Sequence, residues 1–305
     1  MDRVSVYAPG SASNLGPGFD CLGLALTGRG DTIAAVKTSA PGVRIARVSD
    51  PRIPTDPERN TAGIAAAAVL QHSDEQFGVE LTIEKGLPLA GGLGGSAASA
   101  VGGAVAVQAL MRKRLSRDQL FAAALSAEAV VAGRHADNVA PSLLGGMLLI
   151  AASEPLRVAS VEVHDSFTFV LVTPGYAVRT AAARAVLPKQ VSREDAIAQA
   201  ASLGALLLGF ERGDVELIRH AMLDRIAEPA RAELYPGYAG ARTAALLAGA
   251  AGVAVSGAGP TVLAVVTGDN AEPVAKAMVA AYAGAGFGAT SYCSRVDLTG
   301  ARIVG

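Results

Sequence analysis

Residues 88–98 read Pro-Leu-Ala-Gly-Gly-Leu-Gly-Gly-Ser-Ala-Ala and run directly into an Ala-rich stretch of helical composition over 96–112. A glycine-dense loop that opens a helix suits phosphate. Its backbone N–H groups can turn toward a polyanion, and the helix start adds unpaired N–H groups and the positive end of its dipole. The same string also fits a plain tight turn, with Ser96 as an ordinary N-cap. Its spacing is neither G-x-x-x-x-G-K-[ST] nor G-x-G-x-x-G, so a Walker-type NTPase and a Rossmann dehydrogenase both lose their main support.

Working outward from this loop, residues 3–8 and 79–85 alternate as strands, and 145–151 form an apolar strand after Gly145-Gly146. Between them, 61–72, 96–112 and 117–131 have helical composition, with Ser116 placed to cap the last. The polar run 153–165, with Glu154-Pro155, marks a boundary between a domain over 1–155 and a second over 156–305. In the second, a strand at 166–173 ends at Pro174-Gly175, and helical patterns follow at 179–187, 194–212, 214–223 and 237–250. Strands at 253–256 and 262–267, a helix at 271–284 and a strand at 290–297 complete it. The order strand, helices, strand, strand, helix, strand predicts a ferredoxin-like sandwich with extra helices, so the fold class is α+β.

A chain of 305 residues is long enough for two domains, since single cores stop growing near about 250–300 residues. Two domains create a cleft. Lys+Arg 26 against Asp+Glu 27 leaves a net charge of -1, without the basic excess that a nucleic-acid or anionic-membrane partner calls for. A small polar metabolite fits better. Cys21 and Cys293 form no disulfide framework and no C-x-x-C metal spacing, and the N-terminus has no apolar signal core, so a cytoplasmic location is expected. Mean hydropathy is +0.37. The uncharged run 243–268 nevertheless does not read as a membrane span, because Gly249, Gly252, Gly257, Gly259 and Pro260 break it.

Three motifs stand in order: PGSASNLGPGFDCLG at 9–23, PLAGGLGGSAAS at 88–99 and SGAGPT at 256–261. Together they resemble the GHMP kinases, small-molecule kinases named for galactose, homoserine, mevalonate and phosphomevalonate. Within that superfamily, SASNLGPGFDCLGLAL at 11–26, GRHADNVAPSLLGG at 133–146, AARAVLP at 182–188, AEPARAELYPGY at 227–238 and GARIV at 300–304 resemble the homoserine-phosphorylating members. The similarity runs along nearly the whole chain. It implies an N-terminal domain like ribosomal protein S5 domain 2, a C-terminal ferredoxin-like domain, and ATP and substrate between them.

By the resemblance, the phosphate loop is Pro88, Leu89, Ala90, Gly91, Gly92, Leu93, Gly94, Gly95, Ser96, Ala97 and Ala98, and Asn60 and Lys85 contact the adenosine end. Ser96 and Glu128 would hold Mg²⁺, a hard cation that wants oxygen ligands and shares the phosphates. Family loops usually carry two serines where this chain has Gly95-Ser96, so one hydroxyl is missing. Asn14, Asp20, His135, Asn138 and Thr180 are implied around L-homoserine, with Asp20 toward its ammonium group and Arg184 and Arg231 clamping its carboxylate. Asp137 belongs to the same polar cluster. SGAGPT is expected to form a turn under the phosphate loop.

The implied reaction moves the γ-phosphoryl group of MgATP to the side-chain hydroxyl of L-homoserine, a step on the way to threonine. Relatives such as mevalonate and galactose kinases use an Asp base where this motif has Asn138, and a carboxamide cannot take that proton. Catalysis without a base is one expectation, with Asp20 as the rival base. Another GHMP kinase, of mevalonate or cytidyl-methylerythritol type, and a non-catalytic ligand sensor on the same fold remain alternatives. Family analogy makes a homodimer an expectation, with neither nucleic acid nor membrane as a partner.

Overall fold

In the computed structural model, which describes residues 2–74, 76–131 and 133–305, the chain opens with two long antiparallel strands. β1 (Arg3–Asn14) pairs along its length with β2 (Gly18–Thr38), with register shifts between Pro9 and Ser11 and between Ser13 and Asn14. β3 (Gly42–Val48) lies parallel to β4 (Gly78–Glu84), which pairs with β2. β2 and β3 have no counterpart among the expected elements. Gly23, Gly28 and Gly30 punctuate that stretch and hide its alternation, whereas pairing on both sides of β2 holds it extended.

Helices α1 (Thr61–Leu70), α2 (Gly95–Leu110), α3 (Arg117–Val131) and α4 (Ala136–Leu144) accompany this sheet. Ser116 and Gln119 form a reciprocal cap at the start of α3: Ser116 Oγ accepts from the Gln119 N–H, and Gln119 Oε1 from the Ser116 N–H. The small residues of α2 bring it close to its neighbours. A Cβ on Gly103 would lie 2.4 Å from the Ala62 carbonyl oxygen of α1, so only glycine permits that approach.

β5 (Met147–Ser153) pairs with β2 on one side and with β6 (Leu156–Val161) on the other. The expected boundary at 155 thus falls inside a hairpin of the first sheet, because residues 156–161 pair with β5 as β6 rather than forming a linker.

The second sheet holds β7 (Phe167–Pro174), β8 (Gly252–Val255), β9 (Val262–Thr267) and β10 (Ala289–Ser294), in the antiparallel order β10-β7-β9-β8. Between β7 and β8 run α5 (Thr180–Ala185), α6 (Arg193–Arg212), α7 (Val215–Ala221), α8 (Ala227–Arg231) and α9 (Tyr238–Leu247), and α10 (Ala271–Gly284) joins β9 to β10. This is the ferredoxin-like order with additional helices. β11 (Arg302–Ile303) returns to β1, making the first sheet seven-stranded.

β7 shows why the two sheets form one body. Side chains alternate along a strand. Phe167, Phe169 and Leu171 enter the core that includes Val4, Val6 and Leu24, while Val170 and Val172 enter a second core with α9 and α10. Among the described residues, no helix is long and apolar enough to cross a membrane.

Candidate functional site

A cavity of about 350 Å³ opens between the start of α2 and the turn after β8. Asn14, Asp20, Asn60, Lys85, Pro88 to Gly92, Gly94 to Ser96, Glu128, His135, Asn138, Thr180, Arg184 and Arg231 all line it. Leu93, Ala97 and Ala98 do not. Their side chains are buried in the main core, because the loop exit and the inner face of α2 turn toward the sheet.

The loop's backbone leaves N–H groups free at a helix start. Gly94 caps α2 in a left-handed conformation, φ 63°, and a Cβ there would lie 2.1 Å from Ser11 Oγ. The first helical bond runs from the Ala98 N–H to the Gly94 carbonyl, leaving the N–H groups of Gly95, Ser96 and Ala97 outside the ladder at the positive end of a 16-residue helix. Ser96 is therefore not the N-cap but lies within the first turn. The SGAGPT turn supports the loop from below: Ser256 Oγ donates to the Gly92 carbonyl at 2.6 Å, and the Thr261 N–H to that of Gly91 at 3.2 Å.

Glu128 comes from α3, almost wholly buried. Its Oε1 accepts from Ser96 Oγ at 2.8 Å and faces His135 Nδ1 at 3.3 Å, while its buried Oε2 has no partner among the described residues. An orphaned buried carboxylate oxygen is costly unless something positive meets it. A hard divalent cation between Glu128, Ser96 and a phosphate fits this donor set.

His135 connects that carboxylate to a further chain of charges. Arg184 Nε donates to His135 Nε2 at 3.4 Å, so the imidazole proton is on Nδ1, facing Glu128. The Arg184 guanidinium also grips Asp20 bidentately, at 2.8 and 3.0 Å. The residues that the resemblance assigns to opposite ends of an amino acid thus hold each other.

Arg231 is buried at 4 % exposure, with Nε donating to the Ala183 carbonyl at 2.8 Å and Nη1 to that of Gly257 at 3.3 Å. Its guanidinium stacks on the Phe19 ring. Among the described residues, no carboxylate pairs with it. A buried arginine bordering a cavity with only neutral partners suits an anionic ligand.

The carboxamide of Asn138 is pinned by two serines of β1. Ser11 Oγ donates to Oδ1 at 3.0 Å, and Nδ2 donates to Ser13 Oγ at 3.0 Å. The sequence reading gave these serines no role, although their i, i+2 spacing puts them on one face of a strand. Asn14, at φ 74°, donates from Nδ2 to the Gly257 carbonyl and accepts the Asp20 N–H, so it shapes the turn from β1 into the start of β2, where Asp20 sits.

Asn60 caps α1: its Oδ1 accepts the Ala62 N–H at 3.0 Å, and its Nδ2 donates to the Pro54 carbonyl at 2.9 Å. The Lys85 ammonium bonds Asp31, the Gly95 carbonyl and Ser99 Oγ, which fills its three donors. Neither Asp31 nor Ser99 carried a role in the sequence reading.

Two buried carboxyls titrate unusually. Burial above all, and then the Asp20 charge, push Asp137 up to about 6, against the pull of His135, a hydrogen bond with Ser13, and Arg184. Burial likewise pushes Glu228 up to about 7, although it accepts the Val255 N–H and the Tyr238 hydroxyl at 2.8 Å each.

Residues 60–146 match the GHMP kinases N terminal domain and residues 205–284 the GHMP kinases C terminal domain. A homoserine kinase of Xylella fastidiosa is 40 % identical, the match covering 99 % of this chain and 94 % of that protein. One of Trichormus variabilis is also 40 % identical, over 99 % of both chains. The crystal structure of homoserine kinase from Cytophaga hutchinsonii superposes with a TM-score of 0.95 at 36 % identity, covering 100 % of this chain and 98 % of that one. The mevalonate kinase of L. major shares the fold, with a TM-score of 0.73 at 16 % identity. With family matches at both halves and full-length relatives at this identity, the chain belongs to the GHMP kinases, in their homoserine kinase family.

Proposed function

We propose that this protein transfers the γ-phosphoryl group of ATP to the side-chain hydroxyl of L-homoserine, giving O-phospho-L-homoserine for threonine biosynthesis in the cytoplasm. The observation that carries this reading is a single cavity with two chemistries. At one end is a glycine loop with a free helix start, and at the other Asp20, Arg184 and Arg231, charges that match a zwitterion.

The N–H groups of Gly95 and Ser96 bind the polyphosphate, and Ser96 and Glu128 would hold Mg²⁺ beside it. A divalent cation held by these two residues would supply positive charge against the phosphate oxygens. Arg231 and Arg184 take the substrate carboxylate and Asp20 its ammonium group, with Thr180 as an additional hydroxyl contact. Asn138, held rigid by Ser11 and Ser13, orients the reacting hydroxyl toward the γ-phosphorus.

Phosphoryl transfer passes through a loose transition state, so alignment and charge stabilisation supply most of the rate. With substrate bound, Asp20 is taken up by the ammonium group, which supports a reaction without a protein base. As the new P–O bond forms and the bond to ADP breaks, the hydroxyl proton passes to the transferred phosphoryl group.

The test is ADP release with L-homoserine, L-threonine, L-serine, mevalonate and galactose as acceptors. Release that depends on L-homoserine above the others is the expected result. Preference for mevalonate or galactose, or release with none of them, overturns the reading.

A further inference from the structure

The phosphate loop leaves the sheet at Gly86 and rejoins the fold at Gly95, and both ends are tied to one buried ion pair. Asp31 of β2 is fully buried and Lys85, just after β4, nearly so. On the entry side, Asp31 Oδ1 accepts the Gly86 N–H at 3.2 Å. On the exit side, Lys85 Nζ donates to the Gly95 carbonyl and to Ser99 Oγ, each at 2.8 Å. Ser99 Oγ in turn donates to Asp31 Oδ2 at 2.7 Å, which closes a ring between carboxylate, ammonium and hydroxyl.

Every donor of this ammonium is used inside the protein, so it has none left for a nucleotide. Its position is also set from outside the loop, because the Lys85 N–H donates to Ser49 Oγ at 2.8 Å. A buried pair with all its hydrogen bonds made is rigid, and removing one partner strands the other charge.

We propose that Asp31, Lys85 and Ser99 act as a clasp that fixes the separation of the two ends of the phosphate loop, so that Lys85 positions the loop's N–H groups and does not touch the nucleotide. The proposal rests on the nucleotide reading of the cavity. It makes Lys85 a positioning residue whose effect is confined to the phosphates. The adenosine part of ATP, near Ile53, Pro54 and Leu89, should be indifferent to it.

The test compares binding of adenosine, ADP and magnesium tripolyphosphate by calorimetry in the wild type, in the charge-free double variant D31N/K85M, and in S99A. The double variant avoids leaving Asp31 alone in the core, and S99A removes one strut with the ion pair intact, so it serves if the double variant fails to fold. The expected result is about tenfold or greater weakening of ADP and tripolyphosphate in D31N/K85M, about threefold in S99A, and unchanged adenosine affinity in both. Amide exchange in residues 86–95 should quicken in the double variant while exchange in α10 does not. Loss of adenosine affinity in step with ADP would mean that Lys85 contacts the nucleoside, and unchanged tripolyphosphate binding would mean that the loop holds its shape without the clasp. Either result overturns the proposal. Wild-type protein that binds none of the three probes would overturn the nucleotide reading itself, and the clasp with it.

Discussion

Arg184 holds Asp20 through two parallel hydrogen bonds of 2.8 and 3.0 Å, across the gap between α5 and the start of β2. Both side chains are more than a third exposed, so the pair itself adds little to stability. Its consequence lies in binding, since a ligand that takes one partner must also satisfy the other. A zwitterion can do both at once.

Replacing Arg184 or Arg231 by alanine should raise the homoserine KM by roughly ten- to a hundredfold, the equivalent of about 1.5–3 kcal/mol for a charged hydrogen bond, with much less effect on the ATP KM. The two variants should differ in stability. Arg231→Ala strips the Ala183 carbonyl of its buried donor and should lower Tm, whereas Arg184→Ala should leave Tm nearly unchanged. Unaltered homoserine kinetics in both variants would refute the clamp.

Glu128→Gln keeps the shape and the Ser96 contact but removes the anion whose Oε2 lacks a partner among the described residues. Turnover should fall at least about a hundredfold, the effect of losing ~3 kcal/mol of charge stabilisation, while the fold survives. Steady-state kinetics across a magnesium titration checks this. Wild-type turnover at ordinary magnesium would remove Glu128 from the metal site.

Gly95→Ser adds the second hydroxyl that the family resemblance implies for this loop beside Ser96. Gly95 is not left-handed, and a Cβ there meets Leu87 Cβ at 3.5 Å, an ordinary contact. The ATP KM should stay the same or fall slightly. Gly94→Ala is the contrasting case: its left-handed backbone and the 2.1 Å approach to Ser11 Oγ should raise the ATP KM steeply. Equal behaviour of the two variants would show that the loop follows another backbone path.

Glu228→Gln tests the buried carboxyl beside β8. Its folded pKa is raised from 4.5 to about 7, so the folded state holds the proton more tightly than the unfolded chain does. That contribution to stability is complete below 4.5 and is lost as pH rises through about 7. The variant carries no proton to lose, so it should gain on the wild type between about pH 4.5 and about pH 8, as read from urea midpoints. Parallel pH profiles for the two proteins would rule out this origin.

Motif order and local composition made the glycine loop, the helices around it and the βαββαβ half legible in the chain itself. What the sequence hid was long-range. Lys85 and Asn60 could be placed near the cavity, yet the partners that occupy Lys85 lie on a strand 54 residues earlier and on the helix that follows. Asp31 belongs to β2, whose glycines mask its period. Ser11 and Ser13 were within a quoted motif, but only the fold brings them to Asn138, more than a hundred residues away.

The two-faced burial of β7 also bears on how the protein comes apart. One strand supplies Phe169 to one core and Val170 to the other, so melting either core withdraws support from its neighbour. Calorimetry should show one endotherm with matching calorimetric and van't Hoff enthalpies, rather than two separable steps. A substitution such as Phe169→Ala, outside the cavity lining, should therefore abolish nucleotide and amino-acid binding at the same temperature.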